Sequence, residues 1–465
     1  MKRVHFIGVC GTAMATLAAM LKARGFDVQG SDHGIYPPMS EFLAREQIRT
    51  FDGYDAANIT GDIDLVVIGN AVSRGNPELE TVLDRKVRYC SLPEAIRDQF
   101  LWDRHSIVIA GTHGKTTTTS MAAWLLTTAG EDPSLLVGGI ASNFDGSFRL
   151  GSGRDFVIEG DEYDSAFFDK TAKFLKYLPD IAVIGNIEYD HADIYPDMEA
   201  LRVAFRRLIN LIPRNGLLLL GADCPECQKL AVVSRSPVET FGFSEGADWR
   251  AAAMESDGSL TRFLVTYRTE RLGHFEVPLS GAHNVRNALA ALAVGKAAGV
   301  SPDRMREGLK GFQGVRRRLE KRGEARGVAV FDDFAHHPTA ILETIRAVKL
   351  SYPNRRVWAV FEPRSATACR KIFQDDFIRA FHESGADQVV LAAVFRASLP
   401  EAERLSVAAI VEELKKRGVG ARTLPGADEI VEAIAAEATD GDIVVIMSNG
   451  GFDDIHTKLL TALGR

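Results

Sequence analysis

The run Gly111-Thr112-His113-Gly114-Lys115-Thr116-Thr117 constrains this chain more than any other stretch. It follows an apolar, β-branched segment at 106–110 and opens a stretch with helical spacing. It therefore reads as a phosphate loop between a strand and a helix. The glycines let backbone N–H groups turn inward onto phosphate oxygens, and the helix start adds partial positive charge. Lys115 supplies a point charge for the β- and γ-phosphates of a nucleotide, and the Thr116 hydroxyl is placed for Mg²⁺. Two residues separate the glycines here, where the usual motif has four, so the strand–helix context carries the assignment.

Strand and helix alternate along the rest of the chain. Strands are expected at 4–7, 27–29 and 65–68, then at 106–110, 155–158, 181–184 and 217–220, and last at 328–331, 357–361, 388–391 and 443–447. Helices are expected at 12–23, 198–211, 285–298 and 303–310, with a hairpin over 262–267 and 274–277. This is an α/β chain of doubly wound, mostly parallel sheets. Its 465 residues suit about three domains. The boundaries are expected near 105 and 318.

Composition narrows the function. Lys plus Arg is 55 and Asp plus Glu is 62, a net −7, which gives no global reason to bind nucleic acid. No apolar run approaches the ~20 residues that span a bilayer. The start, Lys2-Arg3 and then apolar residues, imitates an export signal, but Gly8 and Gly11 bracket a turn before a helical stretch. A cytoplasmic monomer that binds neither membrane nor nucleic acid is expected. Five cysteines, an odd number, imply no disulfide framework. Cys224 and Cys227 form a Cys-x-x-Cys pair with no second Cys/His pair at zinc spacing. The pair reads as a helix start, with a metal or redox role left open.

Residues just past strand ends line the ligand crevice of a parallel sheet. Glu159 and His191 both fall there, and they are expected to converge with Lys115 and Thr116 on one edge. A hard carboxylate suits Mg²⁺ better than imidazole does. Asp161, Glu162 and Asp190 are rival ligands. In the first third, Gly8, Gly11, Thr12 and Met14 form a turn at a helix start. The motif is Gly-x-x-Gly, which does not support NAD binding. Asp32 and Asn70 end neighbouring strands on the same edge.

The motifs 111–118, Glu159-Gly160-Asp161-Glu162 and Asn186-Ile187-Glu188-Tyr189-Asp190-His191 are followed in order by three more. These are Gly281-Ala282-His283-Asn284-Val285-Arg286-Asn287-Ala288, Phe312-Gln313-Gly314-Val315-Arg316-Arg317-Arg318 and Asp332-Asp333-Phe334-Ala335-His336-His337-Pro338. Together they resemble the Mur ligases of peptidoglycan synthesis over essentially the whole chain. The resemblance implies three domains: a Rossmann-like N-terminal domain for a UDP-sugar (1–105), a central P-loop ATPase sheet (106–318) and a Rossmann-like C-terminal domain (319–465). It implies an ATP- and Mg²⁺-dependent amide ligase that activates the carboxylate of UDP-N-acetylmuramate as an acyl phosphate.

Site roles follow from the same resemblance. Gly111, Thr112, His113, Gly114, Lys115, Thr116 and Thr117 would cradle ATP, and Thr116, Glu159 and His191 would hold metal, with Lys115, Glu159 and His191 catalytic. Asn284 and Asn287, with His283 beside them, would read adenine. Asp333 would accept the ribose hydroxyls, and Arg317 or Arg318 would reach phosphate. Gly8, Gly11, Thr12, Met14, Asp32 and Asn70 would bind the UDP-sugar. Several Mur ligases carry a carbamoylated Lys after the metal-binding His. The helix after His191 holds Arg202, Arg206 and Arg207 and no Lys, so no carbamate is expected.

Three stretches, at 8–14, 362–367 and 448–452, resemble the branch that attaches a murein tripeptide during cell-wall recycling. The branch that adds free L-alanine is the alternative. It differs at the second and third stretches, where the incoming amine should bind. Arg364, Ser365, Thr367 and Asn449 would contact that amine substrate. Phe452-Asp453-Asp454 stands where the recycling enzymes usually continue with glycines. A nucleotide-gated switch and a nucleotide-sugar oxidoreductase are more distant readings.

Overall fold

Short runs rich in Val, Ile and Leu, buried on both faces, build parallel sheets in this chain. The computed structural model describes residues 2–36, 39–258, 260–395 and 399–464. It divides into two compact units. One comprises Met1–Ile187, Glu199–Ala247 and Ala290–Met305, and the other Glu188–Met198, Asp248–Leu289 and Arg306–Arg465.

The first unit holds a five-stranded parallel sheet in the order Arg49–Asp52, Asp27–Asp32, Arg3–Ile7, Leu65–Ile68, Tyr89–Ser91. The order reverses between Arg3–Ile7 and Leu65–Ile68, and ligands of such sheets bind beyond the strand ends at that reversal. Gly8 and Asn70 lie there. The same unit contains strands ordered Val238–Gly242, Leu217–Gly221, Ile181–Ile184, His105–Ala110, Asp155–Gly160, Ser134–Ala141 and Gly146–Arg149. All these pairs are parallel except the last. His105–Ala110 is central, so the loop after it is flanked by the ends of Asp155–Gly160 and Ile181–Ile184.

In the second unit, Trp249–Ser256, Thr261–Tyr267 and Glu270–Val277 form an antiparallel meander. The hairpin expected over 262–277 is there, extended by the strand Trp249–Ser256, whose alanine run carries little strand propensity. A six-stranded sheet runs Glu320–Ala325, Val328–Asp333, Ile443–Met447, Val357–Phe361, Gln388–Ala392, Gly420–Leu424. Only its first pair is antiparallel. Apolar clusters cover both faces, around Phe361, Phe377 and Phe381 on one side and Trp358, Ile430 and Leu459 on the other.

One buried polar group sits under the first sheet. Glu78 and His5 are fully buried and paired at 3.1 Å. Ser31 and the Asn58 amide also donate to the Glu78 carboxylate. Burial alone would raise the Glu78 pKa, but the His5, Ser31 and Asn58 hydrogen bonds outweigh it and leave the pKa lowered. Because the folded carboxyl is the more acidic, its contribution is complete above the unfolded-state pKa of about 4.3 and fades as pH drops through the lower folded value. Glu78→Gln is expected to cost roughly 1.5–3 kcal/mol near neutral pH, with the gap from the parent closing as pH falls below about 4. Denaturant unfolding across a pH series checks this, and a gap independent of pH would contradict it.

Candidate active site

The phosphate loop is built by close approach. Gly111 sits at φ +130°, and a Cβ there would lie 3.0 Å from the Asn186 carbonyl oxygen. Only glycine tolerates both the conformation and the contact. Asn186 then fastens the loop: its carbonyl accepts from Thr112 N–H at 3.0 Å and its side-chain oxygen from His113 N–H at 2.7 Å. Its amide donates back to the His113 carbonyl at 3.2 Å. Gly114, in the left-handed region, starts the helix Lys115–Ala129 without a side-chain cap and with no acidic residue in the first turn. Under those conditions opening N–H groups serve an anion. The threonine run disfavours helix on its own. Here Thr119 and Ser120 donate to carbonyls one turn back, at 2.8 Å each, and burial holds the helix.

Lys115 is held within its own loop. Its ammonium donates to the Gly111 carbonyl at 2.7 Å and the Thr112 carbonyl at 3.2 Å, and pairs with Glu162 at 2.9 Å. Burial works against the charge, yet the Glu162 and Asp161 carboxylates, with a further push from Glu159, leave its pKa raised. Asp161 pairs with Lys173 at 2.5 Å. Burial opposes its ionisation, but Lys173 and Lys115 hold it well below the usual carboxylate range.

Thr116 donates its hydroxyl to Glu159 at 3.2 Å, and the other Glu159 oxygen accepts from Gly138 N–H at 2.8 Å. A hydroxyl and a fixed carboxylate oxygen side by side form a hard donor set that fits Mg²⁺. Gly138 was not anticipated. It lies in the strand Ser134–Ala141, whose apolar run at 135–137 was the available signal and whose glycines obscured it.

The segment after Glu159 also reaches the first sheet. Asn70 donates to Asp164 at 2.7 Å, while its own carbonyl oxygen is buried without a hydrogen-bond partner. At the Gly8 turn, Gly8 and Val9 N–H groups donate to the Ser31 carbonyl. Asp32 accepts from Cys10 N–H at 2.7 Å, His33 N–H at 2.8 Å and the Tyr54 hydroxyl at 3.1 Å. It fastens the turn, which leaves Gly11 and Thr12 exposed. Met14 lies in the first turn of the helix that follows. It is 6% exposed, because its place in the helix Thr12–Ala23 turns it into the core beneath Gly69.

His191 belongs to the second unit. It has φ 54°, and its backbone N–H donates to Asp190 at 2.7 Å and to the Thr367 hydroxyl at 3.0 Å. Burial opposes the Asp190 charge, but His191, His336, His337 and Thr367 together depress its pKa strongly. Two arginines of Met198–Ile209 are committed elsewhere: Arg202 pairs with Glu226 at 2.8 Å and Arg206 with Glu199 at 3.1 Å.

Around the C-terminal strand ends, Arg364 stands 3.4 Å from Glu362 and over the Phe395 ring at 3.8 Å. Ser448 donates to the other Glu362 oxygen. A Cβ on Gly450 would fall 2.4 Å from Arg364 Nε, so glycine makes room for the guanidinium. Asn449 keeps a buried carbonyl oxygen without a hydrogen-bond partner, and Ser365 accepts from Ala368 N–H at 2.9 Å. Phe452, Asp453 and Asp454 adopt φ 45°, 51° and 54°, the region glycine enters freely, which explains why glycine suits these positions.

Asp333 is 5% exposed, with its carboxylate taking Leu319 N–H at 2.7 Å and Ala335 N–H at 2.8 Å. Burial raises its pKa. Arg317 pairs with Asp332 and donates to the Ser448 and Gly450 carbonyls, and Arg318 lies over the Phe334 ring. Asn287 donates to Asn284 at 3.3 Å, Asn284 donates to the Ser280 carbonyl at 2.8 Å, and His283 lies 3.4 Å from Glu343.

Family profiles match three segments: "Mur ligase family, catalytic domain" over residues 3–100, "Mur ligase middle domain" over 109–295, and "Mur ligase, glutamate ligase domain" over 317–450. The UDP-N-acetylmuramate–L-alanyl-γ-D-glutamyl-meso-2,6-diaminoheptandioate ligase of Escherichia coli K12 is 40% identical over 465 residues, covering 100% of this chain and 98% of that protein. A UDP-N-acetylmuramate–L-alanine ligase of Solibacter usitatus is 36% identical, covering 99% and 95%. The crystal structure of a murein peptide ligase from Psychrobacter arcticus 273-4 superposes with a TM-score of 0.74 at 37% identity, covering 100% of this chain and 99% of that one.

Removing the Asn186 side chain deletes the acceptor for His113 N–H. Asn186→Ala is expected to weaken nucleoside triphosphate binding roughly tenfold by calorimetry. An unchanged Kd would show that the loop holds its shape without this residue.

Proposed function

The chain belongs to the Mur ligase family, and on that premise we propose that it is the ATP-dependent ligase that joins UDP-N-acetylmuramate to the tripeptide L-alanyl-γ-D-glutamyl-meso-diaminopimelate. The product is an amide, formed through an acyl phosphate in peptidoglycan recycling. The observation that carries this reading is the segment 159–164. It touches Thr116 through Glu159, Lys115 through Glu162, and the first sheet's ligand edge through Asp164 and Asn70. These contacts of one strand end, to the loop at Lys115 and to the edge at Asn70, support a shared site for a triphosphate and a sugar nucleotide. The domain limits we propose are 1–105, 106–318 and 319–465, in a cytoplasmic monomer. No helix among the described residues is long and apolar enough to cross a membrane.

The chemistry sets the division of labour. A carboxylate is a poor acyl donor until one oxygen becomes a leaving group, and its approach to a triphosphate meets like-charge repulsion. Lys115 offsets that charge once its ammonium turns from Glu162 to the phosphates. The start of Lys115–Ala129 orients the phosphate chain for in-line attack by the sugar's lactyl carboxylate. Thr116 and Glu159 would hold Mg²⁺, which when bound supplies charge neutralisation at the phosphates. His191 is proposed as a further ligand. Gly8, Gly11, Thr12, Asp32 and Asn70 are proposed for the UDP-sugar, and His283, Asn284, Asn287, Asp333 and Arg318 for ATP. The amine of the tripeptide then displaces phosphate from the acyl group. Its carboxylates suit Arg364, with Ser365 and Asn449 beside it, since guanidinium pairs with carboxylate bidentately.

Three outcomes test this reading. With UDP-N-acetylmuramate present, ATP turnover is expected to respond to the tripeptide far more than to L-alanine, and a preference for free L-alanine would move the chain to the other branch. Lys115→Ala is expected to abolish turnover while calorimetric binding of UDP-N-acetylmuramate persists, and loss of both would refute the separation of sites. Gly450→Ala, by displacing Arg364, is expected to raise the KM for tripeptide about tenfold with the KM for ATP unmoved, and an unaltered tripeptide KM would remove Arg364 from the amine site.

A further inference from the structure

The ligase reading leaves Cys224 and Cys227 unused. Cys224 caps the short helix Pro225–Leu230, one strand away from the phosphate loop, and Cys227 follows one turn later. Cys224 is partly exposed and Cys227 fully buried. The Cys224 sulfur accepts from Ile187 N–H at 3.4 Å. Ile187 adjoins Asn186, the residue that fastens Thr112 and His113. A continuous path therefore runs from the dithiol through two residues to the triphosphate loop, all within one unit.

We propose that Cys224 and Cys227 form a reversible disulfide that weakens ATP binding by releasing Ile187 and, with it, Asn186. The proposal rests on the ligase reading for its ATP site. The thiols are suited to the two parts. The hydrogen bond from Cys227 lowers the Cys224 pKa against the pull of burial, aided by the Cys227, Ile187 and Glu226 N–H groups. Cys227 is raised well above its ordinary value by the same hydrogen bond and by burial. The sulfur of the partly exposed residue is thus the attacking thiolate and that of the buried one the resolving thiol. Two of the other cysteines go the opposite way: burial raises Cys10 to about 11 and Cys90 to about 12. Cys369 is buried.

The oxidant is a low-molecular-weight disulfide, RSSR. The Cys224 thiol loses its proton, and the thiolate attacks one sulfur to form a Cys224–S–SR bond as RS⁻ leaves and takes up a proton. The Cys227 sulfur then attacks Cys224 Sγ, its thiol proton passing to the second RS⁻ as that group departs. Two protein thiols are oxidised by two electrons and RSSR is reduced to two RSH. The Cys224 sulfur now bonds to Cys227 and offers Ile187 N–H no thiolate charge.

The full-length protein, treated with oxidised glutathione and then stripped of it, is measured by intact mass, peptide mapping and calorimetric titration with Mg-ATP. The expected result is loss of two hydrogen atoms, a bond within the peptide bearing both cysteines, a Kd for ATP raised roughly tenfold, and full reversal by dithiothreitol. Cys227→Ser is expected to stop at the mixed disulfide with glutathione on Cys224, and Cys224→Ala, which lacks the sulfur that Ile187 N–H rests on, to start from a weakened ATP affinity that the treatment does not change further. Thiols that stay reduced in the parent protein, or a disulfide that forms with ATP affinity unchanged, would overturn the proposal. Reduced protein that fails to bind ATP would overturn the ligase reading, and this inference with it.

Discussion

A largely buried ammonium beside three carboxylates governs this molecule. Lys115 sits among Glu159, Asp161 and Glu162, with Lys173 as the second cation. Without Lys115, Glu162 would be a desolvated carboxylate with its counter-charge gone, a costly arrangement. Without the carboxylates, Lys115 would be driven from its loop. Each holds the other in place until an anion of higher charge arrives. In the proposed reaction a triphosphate takes the lysine, while Glu159 stays tied by Gly138 and Thr116.

The loop that carries this lysine owes its shape to neighbours more than to itself. Its first glycine is pressed onto the backbone of Asn186, and that one residue supplies three of the hydrogen bonds that fix it. Asn186 stands at the end of a strand beside the central one, where parallel sheets present their ligands. The same segment continues into Ile187, whose N–H rests on a thiol. The nucleotide cradle is therefore as rigid as the strand end beneath it, which is why chemistry at Cys224 is felt there.

Much of this was legible in the residues. The phosphate loop, Glu159 and the glycine turn at Gly8 are local motifs with fixed stereochemistry, and the apolar strands announce themselves by unbroken burial. What escaped depends on tertiary partners. Gly138 is a backbone donor, and nothing in a glycine's identity shows which carboxylate its N–H will meet. Met14 shares a turn with exposed residues, yet helical rotation carries it into the core. Asp32 and Asp333 end strands where ligands are expected, but backbone N–H groups fill much of their accepting capacity. Arg317 and Arg318 are adjacent and alike in sequence. The first donates to the Ser448 and Gly450 carbonyls, a tertiary contact that neither residue's identity announces. His191 falls in a different unit from Lys115, a division that spacing along the chain does not reveal.

The central claim is that the sugar acid itself attacks the terminal phosphate held by this loop. Oxygen-18 placed in the lactyl carboxylate of UDP-N-acetylmuramate tests it most directly, with ATP and tripeptide supplied and the released phosphate analysed by mass. Transfer of one labelled oxygen into inorganic phosphate is the predicted result. Phosphate that carries no label while amide product accumulates would contradict the account.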